Sequence, residues 1–332
     1  MTTIAITGAS GKLGGATLSA LLAHNLAPAP SIVALTSSQP DSSTWAALAA
    51  TGVQVRHASF DSPRSFAAAL RGVDRFFLVS TPHIALDFGD DDAVPDGQGR
   101  EKHHRAAIDA AARAGVAHVY YSSLAFAFDG RTRTPGRASK AGVMRAHLRT
   151  EAYLSRLAQQ LQGKLRVTVL REGLYSESWP LYLGYFEPTG RDARAEVRLA
   201  GDGKACWTAI ADLGLASALV LTAPGAEWAG TTVYLSTRPE AARSMMEIAG
   251  LVGAARGREV GVRVVGREEH ERYYVEERGM ERPAVRWWAS TYEALEDGEC
   301  LIDDPTLERL LGGVGVKPTP VEDTIAAMVK KG

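Results

Sequence analysis

The chain has 332 residues, 45% hydrophobic and 23% charged, with a formal net charge of −1; these are ordinary globular values, so a buried core is expected, and the lack of a basic excess argues against nucleic acid as the main ligand. Its two cysteines, Cys206 and Cys300, show no CxxC spacing, which disfavours a disulfide framework and a zinc cluster and fits a reducing, cytoplasmic setting. No apolar run reaches membrane-spanning length, and a strand and glycine loop that begin almost at once leave no room for a cleaved leader.

The first half alternates two periodicities. Ile4 to Ile6 reads as a short buried strand, and Lys12 to Leu22 as a helix with Leu13, Leu18, Leu21 and Leu22 on one side. Ser31 to Leu35 and Val53 to His57 read as strands. Ser62-Pro63 reads as a helix start, with serine as cap and proline in the first turn. Arg75 to Val79 is a strand, Glu101 to Ala114 a helix stopped by Gly115, and Val116 to Tyr121 a strand. Ala141 to Leu161 is a long helix and Arg166 to Arg171 a strand. Strands separated by helices of this length imply parallel βαβ units in a doubly wound sheet.

Two stretches interrupt this rhythm. Residues 87–99 are acidic and glycine-rich (Asp87, Asp90, Asp91, Asp92, Asp96), and residues 129–139 are basic with glycine and proline. Both follow strands, on the edge where α/β sheets bind ligands. They read as solvated loops or as flaps over a substrate.

Beyond Gly173 the pattern is less regular. Aromatic residues cluster at Tyr175, Trp179, Tyr182, Tyr185, Phe186 and Trp207. Asp212 to Leu221 reads as a helix, Thr232 to Leu235 as a strand, Arg243 to Ala255 as a helix, Val262 to Val265 as a strand and Glu268 to Arg278 as a helix. Thr319-Pro320-Val321-Glu322 has the spacing of a capping box opening a last helix to Val329. The division expected is residues 1–173 as a dinucleotide-binding domain and 174–332 as a smaller α+β substrate lobe, with 211–235 returning to the first sheet.

The strongest motif is Thr7-Gly8-Ala9-Ser10-Gly11-Lys12-Leu13-Gly14. A glycine-rich turn between a strand and a helix lets backbone approach a diphosphate and presents first-turn N–H groups to it. The spacing is GxxGxxG rather than GxGxxG. Gly8, Ser10, Gly11, Lys12, Leu13 and Gly14 are therefore candidate cofactor-binding residues of a Rossmann-type domain. An acid roughly twenty residues on would hold a ribose 2′-hydroxyl. Thr36-Ser37-Ser38 stands there instead, and the nearest acid is Asp41. Ser37 and Ser38 would not repel a 2′-phosphate and Lys12 adds positive charge, so NADP(H) is favoured, with NAD(H) the alternative.

Further pieces, in order, carry a resemblance. They are Phe60-Asp61, the run 68–74 (AALRGVD), Leu78-Val79-Ser80-Thr81, Ala114-Gly115-Val116 leading into Tyr121-Ser122-Ser123-Leu124, His147 to Glu151, Leu170 to Glu177 and Ala200 to Lys204. With the glycine loop they resemble the NmrA-like atypical short-chain dehydrogenases/reductases, most of all the branch of NADPH-dependent quinone oxidoreductase 2 and triphenylmethane reductase. The resemblance implies that Phe60 and Asp61 lie beside the adenine, and Ser80 and Thr81 beside the ribose and diphosphate. It implies that Ser122, Ser123, Leu124 and the turn from Glu172 through Gly173 to Tyr175 border the nicotinamide.

The Tyr-x-x-x-Lys pair of the wider superfamily is missing: no tyrosine stands between Tyr121 and Tyr153, and Gly136 lies four residues before Lys140. Candidate catalytic groups are Lys140, His147 and the hydroxyl of Ser123. A histidine of near-neutral pKa can donate a proton, or it can simply face the cofactor. His103-His104 invites a metal reading, but adjacent helical side chains point about 100° apart, so a helix-start surface pair is expected and no metal site. Cys206 reads as a packed small residue. The aromatics are either core or the wall of a pocket for a flat substrate, with Leu124, Trp179 and Trp207 as substrate candidates.

Two functions follow. One is an NADPH-dependent oxidoreductase passing hydride to a quinone, an enone or another aromatic secondary metabolite; an electrophilic acceptor needs little acid help. The alternative is a catalytically silent NADP(H) sensor with a regulatory protein partner, or a non-redox tailoring enzyme on the same fold. A homodimer fits either reading.

Overall fold

The computed structural model describes residues 2–89, 94–225 and 227–330. Seven strands form one parallel sheet: β1 (Ile4–Ile6), β2 (Ile32–Thr36), β3 (Gln54–His57), β4 (Arg75–Leu78), β5 (His118–Leu124), β6 (Arg166–Glu172) and β7 (Thr232–Leu235), in the order β3-β2-β1-β4-β5-β6-β7. β1 and β2 are buried at every position, as strands covered on both faces must be. The order reverses between β1 and β4, so the crevice of this sheet lies above the end of β1.

One face carries α1 (Lys12–Ala23), a helix at Ile210–Thr222 and one at Thr306–Gly312, packed through Leu13, Leu18, Leu21, Leu213, Leu215 and Leu307. A Cβ on Gly214 would come within 2.6 Å of Ala16, so glycine is what lets the 210–222 helix lie against α1. The other face carries helices at Ser65–Ala69 and Gly99–Arg113 and the long helix at Gly142–Gln160, packed through Phe66, Ile108, Ala111 and Leu154.

The remaining chain builds a lobe over the carboxyl edge of the sheet. Glu196–Leu199 pairs in parallel with Gly261–Val264, and Leu174–Tyr175 with Trp207–Thr208. The lobe core joins Trp179, Tyr182, Trp207, Ile248, Trp288 and Tyr292 to Val143 and Met144 of the long sheet helix, so it is continuous with the first domain rather than tethered to it.

Several local expectations change. A helix at Ser43–Ala50 buries only Trp45 and so shows no apolar stripe in sequence. The helix expected from Ser62-Pro63 begins at Ser65; Ser62 instead closes a turn, its carbonyl accepting from the Ser65 N–H at 2.9 Å. Arg282–Glu296 is a helix with Pro283 in its first turn, a start signal that went unread. The helix at Arg267–Arg272 gives way to a π turn at Tyr273–Glu277. Thr319 does not cap the last helix, Val321–Lys330: it donates from N and Oγ1 to the Asp212 carboxylate, and Glu322 pairs with Arg243 at 2.8 Å. The capping box lies at Ser244 and Glu247, opening Met245–Arg256. Of the acidic stretch, Asp90, Asp91 and Asp92 lie outside the described residues. Asp87 is buried against Arg100, and Asp96 pairs with Arg149 at 2.8 Å.

Candidate cofactor and active site

The glycine loop follows β1 directly. Gly8 has φ +62°, a conformation L side chains rarely adopt. A Cβ on Gly14 would fall 2.3 Å from the Gly8 carbonyl oxygen, and on Gly11 3.1 Å from it. The first turn of α1 can seat against the strand end only without those side chains. The helix is capped by Gly11, with no side-chain cap and no acid in its first turn. Its leading N–H groups therefore face the crevice with the partial positive charge of the helix end, an arrangement that suits an anion. Gly8, Ser10, Gly11 and Lys12 are exposed there; Leu13 sends its side chain into the core and leaves only its backbone to the loop. Lys12 lowers the pKa of Glu177 electrostatically, against a larger upward push from burial.

At the end of β2, Ser37 is exposed. The Ser38 hydroxyl is taken: it accepts from the Trp45 indole at 2.9 Å and shares a hydrogen bond with Thr36 Oγ1 at 2.8 Å. After β3, Phe60 stacks on His103, with ring centroids 5.7 Å apart and planes 7° apart. Asp61 is largely exposed, 3.9 Å from His83 Nδ1. His103 in turn meets His83 edge-on. Burial, then the charge of His83, lower the His103 pKa.

Beneath the end of β4 lies a polar network that sequence reasoning missed. Far from being half of a surface pair, His104 is fully buried, because the offset that separates it from His103 turns it into the sheet. Its Nε2 accepts from the Thr81 N–H at 3.2 Å and meets Ser80 Oγ at 3.1 Å; its Nδ1 meets Thr150 Oγ1 at 2.9 Å. Because a backbone N–H only donates, the proton of neutral His104 sits on Nδ1. Tyr121 hydroxyl joins His104 Nδ1 at 3.2 Å to His147 Nδ1 at 2.9 Å. His147 Nε2 faces the Arg100 guanidinium at 3.4 Å, so it too is the accepting nitrogen. Arg100 is tied to Asp87 at 2.5 Å and to the Val143 carbonyl at 2.8 Å. Desolvation, then the Arg100 charge, hold both histidines well below their usual range. His147, expected as a proton donor, is thus a neutral, buried strut between Arg100 and Tyr121.

At β5 the strand alternation separates two serines. Ser123 is buried on the long-helix face, where its hydroxyl donates to Glu151 Oε1 at 2.6 Å. Glu151 is bound by Arg171 at 2.7 Å, and Arg171 places its remaining donors on Ala127, Gly136 and Tyr234. Ser123 is therefore committed beneath the site and not aimed across it. Ser122 lies on the α1 face, hydrogen-bonded to Glu172 of β6. Tyr175 donates to Glu172 Oε2 at 2.9 Å. Burial pushes the Glu172 carboxyl up to about 8, against the pull of those two hydrogen bonds. Glu172 Oε1 is buried without a partner. Gly173 cannot be replaced: a Cβ there would fall 2.2 Å from Thr208 Oγ1, closing the space that lets residues 174–175 pair with 207–208.

The other candidates sit elsewhere. Lys140 is exposed, with its ammonium 2.6 Å from Asp297, whose hydrogen bond raises its pKa. Trp179 is fully buried against Phe186, and Trp207 is buried edge-on to Tyr182 with its indole donating to the Arg243 carbonyl. Both are lobe core, because the short pairing of 174–175 with 207–208 turns them inward. Leu124 is partly exposed at the end of β5 and packs on the lobe. Among the described residues no group of histidine, cysteine or acidic side chains could hold a metal ion, and no helix is long and apolar enough to cross a membrane. Cys206 and Cys300 are buried free thiols.

The NmrA-like family matches residues 1–269. The chain is 28% identical over 331 residues to an NmrA-like family domain-containing oxidoreductase, flvB, of Aspergillus flavus, covering 98% of this chain and 94% of that one. Its structure superposes on the Citrobacter sp. triphenylmethane reductase complexed with NADP(H), with a TM-score of 0.72, 26% identity and 99% coverage of both chains. It superposes equally on the Escherichia coli NADPH-dependent quinone oxidoreductase complexed with NADPH, with a TM-score of 0.74, 25% identity and coverage of 98% and 99%.

Proposed function

The chain belongs to the NmrA-like family, and from that premise we propose that it is an NADP(H)-dependent reductase of quinones, enones or related flat aromatic acceptors. The observation that carries this reading is the bare N-terminus of α1 behind the glycine loop, with no side-chain cap and no acid to compete with a diphosphate. Backbone N–H groups of Lys12, Leu13 and Gly14 would hold that diphosphate, with Ser10 at its rim and the Gly11 N–H closing the turn onto the Gly8 carbonyl at 2.7 Å. Phe60 and Asp61 would flank the adenine, Ser80 and Thr81 the adjoining ribose, and Ser122, Gly173 and Tyr175 the pyridine ring. When bound, the dinucleotide supplies the hydride. The chain's residues position it and control the proton that accompanies it.

NADP(H) fits better than NAD(H) because no carboxylate closes the end of β2, and the exposed Ser37 hydroxyl offers a donor to a 2′-phosphate. The two aligned oxidoreductases complexed with NADP(H) or NADPH support the same choice. The partly buried apolar side chains at the lobe boundary, Leu124, Phe88 and Tyr185, are those against which a flat acceptor would lie. This replaces the substrate roles of Trp179 and Trp207. The free, buried cysteines agree with a reducing, cytoplasmic setting.

Fluorescence titration with NADPH and NADH, followed by addition of a quinone panel, tests the reading. Preferential NADPH binding followed by its oxidation is the expected result. Binding without oxidation by any acceptor would favour a nicotinamide sensor, and absence of binding would overturn the assignment.

A further inference from the structure

Reduction of a quinone or enone needs a proton as well as a hydride. The groups that sequence offered for it are spent elsewhere. Ser123 is committed to Glu151 on the opposite face, Lys140 is paired with Asp297 at the surface, and His147 is an acceptor toward Arg100 inside the fold. The Tyr175–Glu172 pair remains. Glu172 ends β6 beside the crevice, on the same face as α1, and shares that face with Ser122 of the neighbouring strand. It is fully buried; Oε2 is occupied by Tyr175, and Oε1 is the carboxyl oxygen left without a partner. A buried carboxylate oxygen with no donor is costly, whereas a neutral carboxylic acid in the same place buries no charge.

From this geometry we propose that Glu172 is the proton donor of the reductive step, with its proton on Oε1 and Tyr175 holding Oε2. The inference rests on the reductase reading above. A quinone would take up a hydride (one hydrogen nucleus with two electrons) from the reduced nicotinamide and one proton from Glu172 Oε1. The products are a hydroquinone, the oxidised nicotinamide and the Glu172 carboxylate. Once the product has left, a proton from water in the crevice restores the acid on Oε1.

The surroundings fit a neutral carboxyl. Its polar neighbours are the hydroxyls of Tyr175 and Ser122, and no charged group contributes to its shift. The charged groups on adjoining elements lie beyond contact: Arg171 is on the other face of β6, paired with Glu151, while Glu177 caps the 210–222 helix near Lys12 and Asp212. Burial alone keeps the proton on through neutral pH.

The test uses two acceptors with wild type and Glu172→Gln. A quinone needs hydride and proton; a cationic triarylmethane dye needs hydride only, because its central carbon is already a carbocation. The variant is expected to lose about a hundredfold in the ratio of quinone kcat to dye kcat, the low end of general-acid contributions. Wild-type quinone kcat should fall as pH rises through about 8, and the variant's profile should be flat there. Infrared spectra of the cofactor-free protein at neutral pH should show a carboxylic-acid C=O band that Glu172→Gln removes. Equal quinone rates in the two proteins, equal losses with both acceptors, or a missing band would each overturn the donor role while leaving the reductase reading intact. A wild type inert with both acceptors would overturn the reductase reading, and the donor role with it.

Discussion

Ser123 donates its hydroxyl hydrogen to Glu151 Oε1 at 2.6 Å, beneath the sheet edge and on the face away from α1. The hydroxyl therefore serves the fold. Ser123→Ala should leave kcat and KM for quinone within about twofold and cost about 1 kcal/mol of stability, the ordinary worth of one hydrogen bond. Steady-state kinetics and a urea melt read the two effects separately. A large loss of kcat with an unchanged melt would return Ser123 to the catalytic list.

Arg171 is the keystone of that buried face. All five of its N–H donors are matched, to Glu151, Ala127, Gly136 and Tyr234. Arg171→Met would leave the partly buried Glu151 without its charge partner and release the 127–136 loop. The expected cost is about 3–5 kcal/mol, read as a lowered denaturation midpoint. The double variant Arg171→Met, Glu151→Leu should recover part of it, because the stranded charge is then removed.

The glycine loop makes a graded prediction. Gly14→Ala puts a methyl group 2.3 Å from the Gly8 carbonyl oxygen, in a place where backbone must move, whereas Gly11→Ala meets the same oxygen at 3.1 Å. Gly14→Ala should cost about 1–3 kcal/mol of stability by overpacking and weaken NADPH binding by about tenfold or more, since the first turn of α1 is displaced. Gly11→Ala should do less of both. Calorimetric titration beside a thermal melt measures the pair.

Acid should unfold the protein through its buried histidines. His104 and His147 are held well below their usual range, and His118 and His270 are lowered to about 4, each chiefly by burial. Each is neutral in the folded state, while the unfolded chain takes up its protons near pH 6.5. Below that pH the unfolded state binds more protons, so the stability these groups contribute above 6.5 is lost as pH falls toward 4 and beyond. Glu172 has the opposite sign: its folded pKa of about 8 lies above the carboxylate's ordinary value of 4.5, so its penalty grows as pH rises from 4.5 to 8. Unfolding free energies across pH 4–9 should therefore show a maximum between the two limbs. Glu172→Gln should flatten the alkaline limb and leave the acid limb intact.

Lys140 offers the simplest control. It is exposed and paired only with Asp297, itself half exposed. Lys140→Ala should leave quinone kcat and the NADPH Kd within about twofold, as surface substitutions away from a site do. A tenfold loss in either would return Lys140 to the list of functional residues.

Much of the fold was legible because local chemistry repeats it. Ile4 to Ile6, Ile32 to Leu35 and Phe76 to Leu78 are apolar runs too short for helices, and the glycines at 8, 11 and 14 can be read as a turn onto a helix from their spacing alone. The NmrA-like resemblance came from the same ordered pieces. The Ser43–Ala50 helix was not legible, because it buries one side chain and so has no period to find. The capping box was misassigned for a related reason: Ser244-Met245-Met246-Glu247 and Thr319-Pro320-Val321-Glu322 carry one signal, and only the nearness of Asp212 to Thr319 decides which is used.

Sequence by itself determined the class of this protein: an α/β sheet opened by a glycine loop, with serines at the strand ends and no Tyr-x-x-x-Lys pair. Those features depend on neighbours within a few residues, where backbone geometry is enough. Tertiary structure alone decided which polar groups are free to act. Ser122 and Ser123 are adjacent in the chain yet face opposite sides of the sheet, and only packing shows that Glu151 consumes one while Glu172 waits beside the other. A side chain's chemistry is set by its partners and its distance from water, and for Ser123, His147, Lys140 and Glu172 those partners arrive from 3 to 157 residues away.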